Sequence, residues 1–259
     1  MKVVILCGGL GTRLREETEF RPKPMVEIGG KPILWHVMKI YAHYRYIDFI
    51  LALGYKGEMV KEYFYNYDIL NNDFTIELGN EKKVEIHRNN SEKDWRVTLA
   101  DTGDKTLKGA RLKRVEQYID DDQFMLTYGD GIANIDIENL LEFHQSHGKL
   151  ATVTGINPAS RFGELKVKGD EVGAFSEKPK NGNGLVNGGF FVLNRAVFDY
   201  LSKDDSCDFE IGALEQIARQ GELMVYKHKG FWACMDTFRD MEYLNRLWAE
   251  DKAEWKVWD

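Results

Sequence analysis

A short apolar run that leads directly into a glycine-rich loop constrains this chain more than any other feature of its sequence. Residues 2–7 predict a strand, and the continuous apolar character of Val3–Cys7 is typical of a strand buried on both faces in a parallel sheet. Gly8, Gly9 and Gly11 follow, and glycine lets a backbone turn sharply and bring its N–H groups close to a ligand. The segment therefore predicts a buried strand that ends in an anion-binding loop.

Two cations beyond the loop extend this pattern. Arg13 has a forked guanidinium that suits phosphate oxygens, and Lys23 is a point charge held between Pro22 and Pro24, which limit the backbone. The glycines and the cations together indicate a polyphosphate site. The alternative is a glycine-rich surface turn with two solvated cations.

Two well-known phosphate loops do not fit. The P-loop requires a Gly-Lys-Ser/Thr ending, and none follows Gly11. The dinucleotide fingerprint requires a glycine where Leu14 stands and an acidic residue at the end of the next strand, but Asp48–Leu53 ends without one. A nicotinamide oxidoreductase is therefore disfavoured.

Composition limits the partners. The net charge of −7 argues against broad attraction to nucleic acid or to an anionic membrane. The N-terminal apolar run is too short for a secretory signal, and no run approaches the length of a membrane span. Three cysteines without a CxxC spacing indicate a reduced, cytoplasmic protein without structural zinc.

Alternating strand and helix patterns predict a parallel sheet with right-handed crossovers. We expect an α/β, Rossmann-like three-layer α/β/α domain over residues 1–259, with a mixed, mostly parallel central sheet. The predicted strands are 2–7, 48–53, 123–128, 150–156, 187–193, 223–228 and 231–235. The predicted helices are 31–44, 57–65, 108–117, 136–147, 195–201, 208–220 and 238–251. Residues 161–168 and 171–175 predict a hairpin, and residues 66–105, with irregular strands at 84–87 and 96–99, predict an insertion on the ligand side.

Two aspartates follow predicted strands. Asp130 stands between two glycines after an apolar strand, and this places its carboxylate at the sheet edge where ligands bind. Asp236 repeats the arrangement after residues 231–235. Taken alone, either aspartate is typical of a turn, but two carboxylates from different strands suit Mg²⁺ when substrate phosphates complete its shell. No Asp-x-Asp pair is present, so a binuclear protein site is not indicated.

Several motifs together resemble the sugar-nucleotide pyrophosphorylases, a family of nucleotidyltransferases. They follow the family's order and cover nearly the whole chain. They are Leu6–Leu14, Arg21–Val26, Tyr128–Gly131, Glu177–Pro179, Asn187–Phe191 and Trp232–Thr237. Within the family, Trp95–Gly103 and Arg161–Leu165 most resemble the glucose-1-phosphate cytidylyltransferase branch.

The resemblance implies an activity and a set of partners. The substrates would be CTP and glucose 1-phosphate, the products CDP-glucose and pyrophosphate, and the metal Mg²⁺. It implies a homo-oligomer, with a hexamer left open, and a supply of CDP-glucose for CDP-3,6-dideoxyhexoses of bacterial O-antigen. It also divides the domain at about residue 130 into a nucleotide-binding part, and a part for sugar-phosphate binding and oligomerisation.

The resemblance also assigns roles to residues. The implied catalytic residues are Arg13, Lys23 and Asp130, and the implied metal ligands are Asp130 and Asp236. The implied nucleotide-binding residues are Leu6, Gly8, Gly9, Leu10, Gly11, Thr12, Arg13, Lys23, Thr102, Arg111, Tyr128 and Gly129. The implied sugar-phosphate residues are Gly163, Glu177, Lys178, Asn187 and Gly188. For Thr102 and Arg111 a structural role is an equal alternative, and Tyr128 either faces the pocket or packs beside it.

Some alternatives remain open at this point. Within the reaction class the alternative is an enzyme that uses UTP or dTTP, and outside it a catalytically silent sugar-nucleotide-binding protein. The joint presence of the cations and the metal pair argues against the silent protein. His144 and His147 share a helix face without a third ligand nearby in sequence, so a packing or solvated role is favoured. Cys7 is interpreted as a core residue.

Overall fold

The structure is a computed structural model that describes residues 1–79, 82–87, 92, 94–157, 164–168, 171–176 and 184–258. Its strands are β1 (Val3–Cys7), β2 (Glu27–Ile28), β3 (Lys31–Pro32), β4 (Asp48–Leu53), β5 (Asp73–Leu78), β6 (Lys82–His87), β7 (Arg96–Asp101), β8 (Gln123–Tyr128), β9 (Gly131–Ala133), β10 (Ala151–Ile156), β11 (Glu164–Lys168), β12 (Glu171–Ser176), β13 (Val186–Asn194), β14 (Leu223–Lys227) and β15 (Trp232–Cys234).

The helices complete the element order. They are α1 (Arg15–Thr18), α2 (Ile33–His43), α3 (Gly57–Tyr65), α4 (Tyr67–Asn71), α5 (Lys108–Val115), α6 (Ile137–His147), α7 (Glu215–Arg219) and α8 (Phe238–Ala249). Short 3-10 turns lie at Thr12–Leu14, Lys23–Met25, Glu116–Tyr118 and Arg195–Tyr200, and Phe209–Leu214 is a turn that is kinked at Ile211 and Gly212.

The central sheet of the described residues has seven strands in the order β14-β10-β13-β8-β1-β4-β7. Neighbouring strands are parallel, except that β13 runs antiparallel to both β10 and β8. The predicted mixed, mostly parallel sheet is therefore confirmed. The predicted hairpin is also present, as the antiparallel pair β11 and β12.

Two hydrophobic cores cover the two faces of the sheet. Val3 and Ile5 of β1 pack in one core with side chains of α2, α6 and α8. Val4 and Leu6, whose side chains point to the opposite face, pack in the other core with side chains of α5 and α7. This alternation explains why β1 is apolar at every position, and it confirms the three-layer α/β/α form.

The region 66–105 differs from the prediction. Its last part, β7, is not an irregular strand of an insertion but the edge strand of the central sheet, paired in parallel with β4 from Asp48↔Arg96 to Leu53↔Asp101. The earlier part holds α4 and the hairpin of β5 and β6. Edge strands are only partly buried, so β7 lacks the continuous apolar run that identified its neighbours.

A second difference concerns residues 231–235. The strand β15 lies outside the central sheet and forms a two-stranded ribbon with β9, in which Cys234 pairs with Gly131. Asp236 therefore does not follow a central strand as predicted. A run this short shows that a strand is present, but its pattern does not show which strand is its partner.

The predicted helix 208–220 is interrupted. Asp208 caps its start, accepting hydrogen bonds from the backbone N–H groups of Glu210 and Ile211 at 2.9 and 2.8 Å. Gly212 then adopts a φ of +126°, and only Glu215–Arg219 is regular α-helix. A glycine inside a helical pattern permits this kink at little steric cost.

The two histidines of α6 belong to a partly buried hydrogen-bond network. Nδ1 of His147 accepts from the backbone N–H of Lys149 at 2.9 Å, so the proton of the neutral ring lies on Nε2, 2.7 Å from the Thr152 hydroxyl. That hydroxyl lies 2.9 Å from Nδ1 of His144, whose Nε2 lies 3.1 Å from Oδ1 of Asn194. Every donor in this network has an acceptor when both rings are neutral. The two histidines therefore have the packing role that the sequence favoured.

We predict that the free energy of unfolding falls as the pH drops below about 6.5. Burial lowers the pKa of His144, of His147 and, to about 4, of His36. Because these rings bind protons more readily when unfolded, their full contribution is present above the ordinary histidine pKa and is lost as the pH falls toward the lowered values. For His36 alone the loss is about 3 kcal/mol.

Denaturant unfolding between pH 7.5 and pH 4.5 measures this effect. His36→Gln should flatten the pH dependence, whereas His43→Gln, at an exposed position, should leave it unchanged. An unfolding free energy independent of pH over this range would contradict the prediction.

Candidate active site

A cavity of about 570 Å³ lies at the carboxyl ends of β1 and β8, the edge where open α/β sheets bind ligands. Its lining brings together residues that are far apart in the chain. They are Leu6, Cys7, Gly8, Gly9, Gly11, Thr12, Arg13, Lys23, Pro24, Thr106, Leu107, Lys108, Arg111, Tyr128, Gly129, Asp130, Asn187, Trp232, Cys234 and Asp236. The predicted glycine loop, its two cations and both predicted metal ligands therefore surround one space.

Arg111 fixes the position of the glycine loop. It is only 3% exposed, and it donates to the backbone oxygens of Gly8 at 2.7 Å, Gly103 at 2.6 Å and Leu53 at 3.1 Å. The hydroxyl of Thr102 accepts from Arg111 at 2.9 Å and donates to the oxygen of Leu53 at 2.5 Å. The geometry thus gives Thr102 and Arg111 the structural role that the sequence left as an alternative, although Arg111 also lines the cavity.

Gly8 is required by this same contact. A Cβ atom at position 8 would lie 2.1 Å from Cζ of Arg111, whereas one at Gly9 would meet no atom within 4 Å. Gly11 has a φ of +62°, and a Cβ there would lie 2.6 Å from Cγ2 of Thr18. The loop therefore needs glycine at two positions for packing and backbone conformation, in addition to any approach of a ligand.

Four charged side chains meet at the centre of the cavity. The ammonium of Lys23 lies 2.6 Å from Oδ2 of Asp130 and 2.5 Å from Oδ1 of Asp236. The guanidinium of Arg13 lies 2.8 Å from Oδ2 of Asp236. Burial lowers the pKa of Lys23, but the Asp130 carboxylate and hydrogen bonds to both aspartates raise it more, so the pKa of Lys23 lies above its ordinary value. The ammonium therefore stays charged between the two carboxylates.

The same carboxylates fit a divalent cation. Ligand atoms of Asp130, Cys234 and Asp236 all lie within 4.8 Å of one another. The two carboxylates already hold one cationic group jointly, and carboxylate oxygen is the donor that hard divalent cations prefer. Cys234 was missed as a site residue, although its spacing of two from Asp236 in a strand could have placed it on the same face.

A polar network forms another wall of the cavity. The hydroxyl of Tyr128 donates to Oε1 of Glu210 at 2.6 Å and accepts from Nδ2 of Asn187 at 3.1 Å. Lys108 pairs with the same oxygen of Glu210, and its ammonium lies 5.2 Å from the ring centroid of Tyr128. Tyr128 therefore faces the pocket, one of its two predicted placements. Lys108 and Glu210 were missed as site residues. The sequence predicted an uninterrupted helix over residues 208–220 and gave no sign that Glu210, just before the kink at Gly212, pairs with Lys108.

Not every predicted site residue lines the cavity. Leu10 is 53% exposed beside it. Gly188 follows the lining residue Asn187 but does not line the cavity itself, and its backbone oxygen accepts from Nε1 of Trp232 at 2.7 Å. The predicted sugar-phosphate residues Gly163, Glu177 and Lys178 fall outside the described residues. Cys7 is buried in β1, as expected for a core residue, and burial raises the pKa of its thiol.

Comparison with known sequences identifies relatives over the full chain. The family model described as nucleotidyl transferase matches residues 2–248. A glucose-1-phosphate cytidylyltransferase of Salmonella typhimurium is 52% identical over 260 aligned residues, covering 100% of both chains. A probable glucose-1-phosphate cytidylyltransferase of Bacillus subtilis is 47% identical over 258 residues, again covering 100% of both. These matches confirm the family resemblance of the sequence motifs.

Solved structures share the fold. A UDP-glucose pyrophosphorylase complexed with UDP-glucose aligns with a TM-score of 0.69 at 16% identity, covering 96% of this chain and 98% of that chain. A putative glucose-1-phosphate thymidylyltransferase from Bacillus anthracis aligns with a TM-score of 0.67 at 19% identity, covering 95% and 94%. In the described part of the chain, no helix is both long enough and apolar enough to cross a membrane.

We predict that Gly8→Ala and Gly9→Ala differ sharply in stability. The added methyl group at position 8 must displace Arg111 from its backbone acceptors, whereas at position 9 it enters open space. Gly8→Ala should lower the free energy of unfolding by about 1–3 kcal/mol, and Gly9→Ala by much less. Equal denaturant midpoints for the two variants would show that Arg111 does not constrain the loop.

Proposed function

The chain belongs to the nucleotidyl transferase family, and we propose that it transfers a cytidylyl group from CTP to α-D-glucose 1-phosphate, giving CDP-D-glucose and pyrophosphate. The observation that carries the chemistry is the cluster of Lys23, Arg13, Asp130 and Asp236 beside the glycine loop. The choice of substrates is supported by the names of the full-length relatives.

Binding of substrates would exchange the partners within this cluster. Without substrate, the two cations and the two carboxylates neutralise one another. A triphosphate brings negative charge that Lys23, Arg13 and the loop N–H groups can bind, and this releases Asp130 and Asp236 from their ion pairs. We propose that the released carboxylates hold Mg²⁺, which when bound would neutralise developing charge on the phosphate oxygens.

The reaction requires positioning more than acid–base chemistry. A phosphate monoester is already anionic near neutral pH, so its oxygen can attack the α-phosphorus without a general base, and pyrophosphate leaves in line. Lys23 would neutralise the α-phosphate, and Arg13 with the loop N–H groups would hold the β- and γ-phosphates. By family resemblance, Lys178 would hold the sugar phosphate. Electrostatic stabilisation by these fixed charges would supply most of the rate enhancement.

Other parts of the proposal rest on the sequence resemblance. They are the homo-oligomeric assembly and the supply of CDP-glucose for CDP-3,6-dideoxyhexoses of O-antigen. The cytoplasmic location is proposed from the cysteine pattern instead. The base specificity can be tested most sharply, because cytosine carries a donor amine at C4 where uracil and thymine carry an acceptor oxygen. A site whose polar groups pair with cytosine leaves those buried groups unpaired when uracil or thymine binds, and the reverse holds for a site that pairs with uracil or thymine.

Pyrophosphate release from CTP, UTP, dTTP, ATP and GTP, each with glucose 1-phosphate and Mg²⁺, tests the proposal. We expect a strong preference for CTP. A preference for UTP or dTTP would keep the mechanism and replace the base. No release with any triphosphate, from protein that binds CDP-glucose, would instead indicate a silent binding protein.

We further predict that Lys23→Ala and Asp130→Asn each lower turnover by a factor of about 10²–10³, because each removes a fixed charge at the reacting phosphates. Arg15→Ala is the matched control, since Arg15 is exposed and does not line the cavity. Steady-state kinetics on variants with normal circular dichroism measures the effect. Near-normal turnover in a folded Lys23→Ala or Asp130→Asn protein would break the mechanism.

A further inference from the structure

Neighbouring strand ends divide the ligand edge of the central sheet into two sides. In the strand order β13-β8-β1-β4, the glycine loop follows β1, and Arg111 ties it to the end of β4. Asp130, with Lys23 against it, follows β8 at the centre. Asn187 lies on the other side of this centre, near the start of β13. The glycine loop and Asn187 therefore flank the charged cluster, and the β13 side is left for the second substrate.

The carboxylate of Glu210 determines the direction of the hydrogen bonds on the β13 side. The ammonium of Lys108 and the hydroxyl of Tyr128 both donate to its Oε1, the hydroxyl at 2.6 Å. An ionised carboxylate can only accept, so the hydroxyl of Tyr128 has only its lone pairs left for Asn187, whose Nδ2 donates to it at 3.1 Å. Burial and the charge of Glu210 raise the pKa of Tyr128, so the phenol keeps the proton that this arrangement requires.

The other end of the Asn187 amide is fixed as well. Its Oδ1 accepts from the backbone N–H of Gly189 at 2.8 Å, and that group can only donate. Gly189 also makes room for the phenol, because a Cβ there would lie 2.7 Å from Cδ2 of Tyr128. The second N–H of Nδ2 donates to no group in the part of the chain that the structure describes, and Asn187 lines the cavity. The amide therefore offers a ligand a donor and not an acceptor.

We infer that the ion pair of Lys108 and Glu210 is a positioning element for the sugar phosphate: it holds the Tyr128 hydroxyl as a donor, so that Asn187 presents its second N–H to an acceptor oxygen of that substrate. Neither member of the pair has to contact the ligand. Among the described residues, Oε2 of Glu210 is buried without a hydrogen-bond partner, so the contacts to Oε1 alone offset the cost of burying this carboxylate. The inference rests on the proposed function for the identity of the substrate.

The affinity for CDP-glucose relative to CDP isolates the sugar side of the site. The quantity is the Kd of CDP divided by the Kd of CDP-glucose, measured by calorimetry on the full chain, in which effects on the nucleotide alone cancel. We expect Tyr128→Phe, Glu210→Ala and Lys108→Met each to lower this ratio by about five- to tenfold, with normal circular dichroism. Glu215→Ala is the matched control, because Glu215 pairs with Arg219 on the exposed surface of α7 and does not line the cavity.

Double variants show whether the ion pair acts through Tyr128. If it does, adding Glu210→Ala or Lys108→Met to Tyr128→Phe should lower the ratio by less than about twofold further, because residues that act in one network are not additive. Full, multiplied effects would show that Glu210 or Lys108 contacts the ligand itself, and this would overturn the inference. If Glu210→Ala does not fold, Glu210→Gln replaces it, since the amide of glutamine can donate to the phenol, and an unchanged ratio in that variant would equally refute the positioning role.

Failure of the proposed function has a different signature. Unchanged ratios in the three single variants, from a protein that forms CDP-glucose, overturn the inference alone. A wild-type protein that binds UDP-glucose instead, with a UDP to UDP-glucose ratio that falls in the variants as expected, supports the inference and replaces the base. A folded wild-type protein that binds no sugar nucleotide would overturn both.

Discussion

The ammonium of Lys23, held between Asp130 and Asp236, is the interaction on which the rest of the site depends. It joins three separate pieces of the chain, namely the 3-10 turn at Lys23–Met25, the end of β8 and the end of β15. Two carboxylates this close would repel each other without a cation, and burial would increase the cost. The protein therefore supplies its own cation, and the proposed reaction would begin when phosphates and a metal ion replace this internal pairing.

Arg111 performs a comparable task for the glycine loop, through hydrogen bonds instead of opposite charge. Its guanidinium gathers backbone oxygens from the ends of β1 and β4, so the loop is held by the sheet itself. The glycine loop is therefore held in place before any ligand binds, and this lowers the ordering cost of binding. Gly8 is needed because the guanidinium occupies the space that any side chain at this position would take.

The central fold and the core of the site could be predicted from the sequence, because β1, β4 and β8 are largely apolar runs that are each followed directly by a glycine. The place of β7 could not, since an edge strand has one partner and a weaker pattern. The pairing of β15 with β9 could not be predicted either, because a strand of three residues has too short a pattern to specify its partner. Cys234 enters the site through this two-stranded ribbon, and Glu210 through the helix that is interrupted at Gly212.

The reversed direction of β13 brings the start of this strand to the edge of the sheet at which β8 ends. Asn187, near the start of this strand, lies at the same sheet edge as Tyr128, which ends β8. Because β13 is antiparallel to β8, its first residues and not its last lie at this edge of the sheet. Asn187 therefore reaches the cavity from the beginning of its strand, whereas Tyr128 reaches it from the end of its own. A residue inserted before Val186 would lengthen the chain at the ligand edge and leave the pairing of β13 with β8 unchanged.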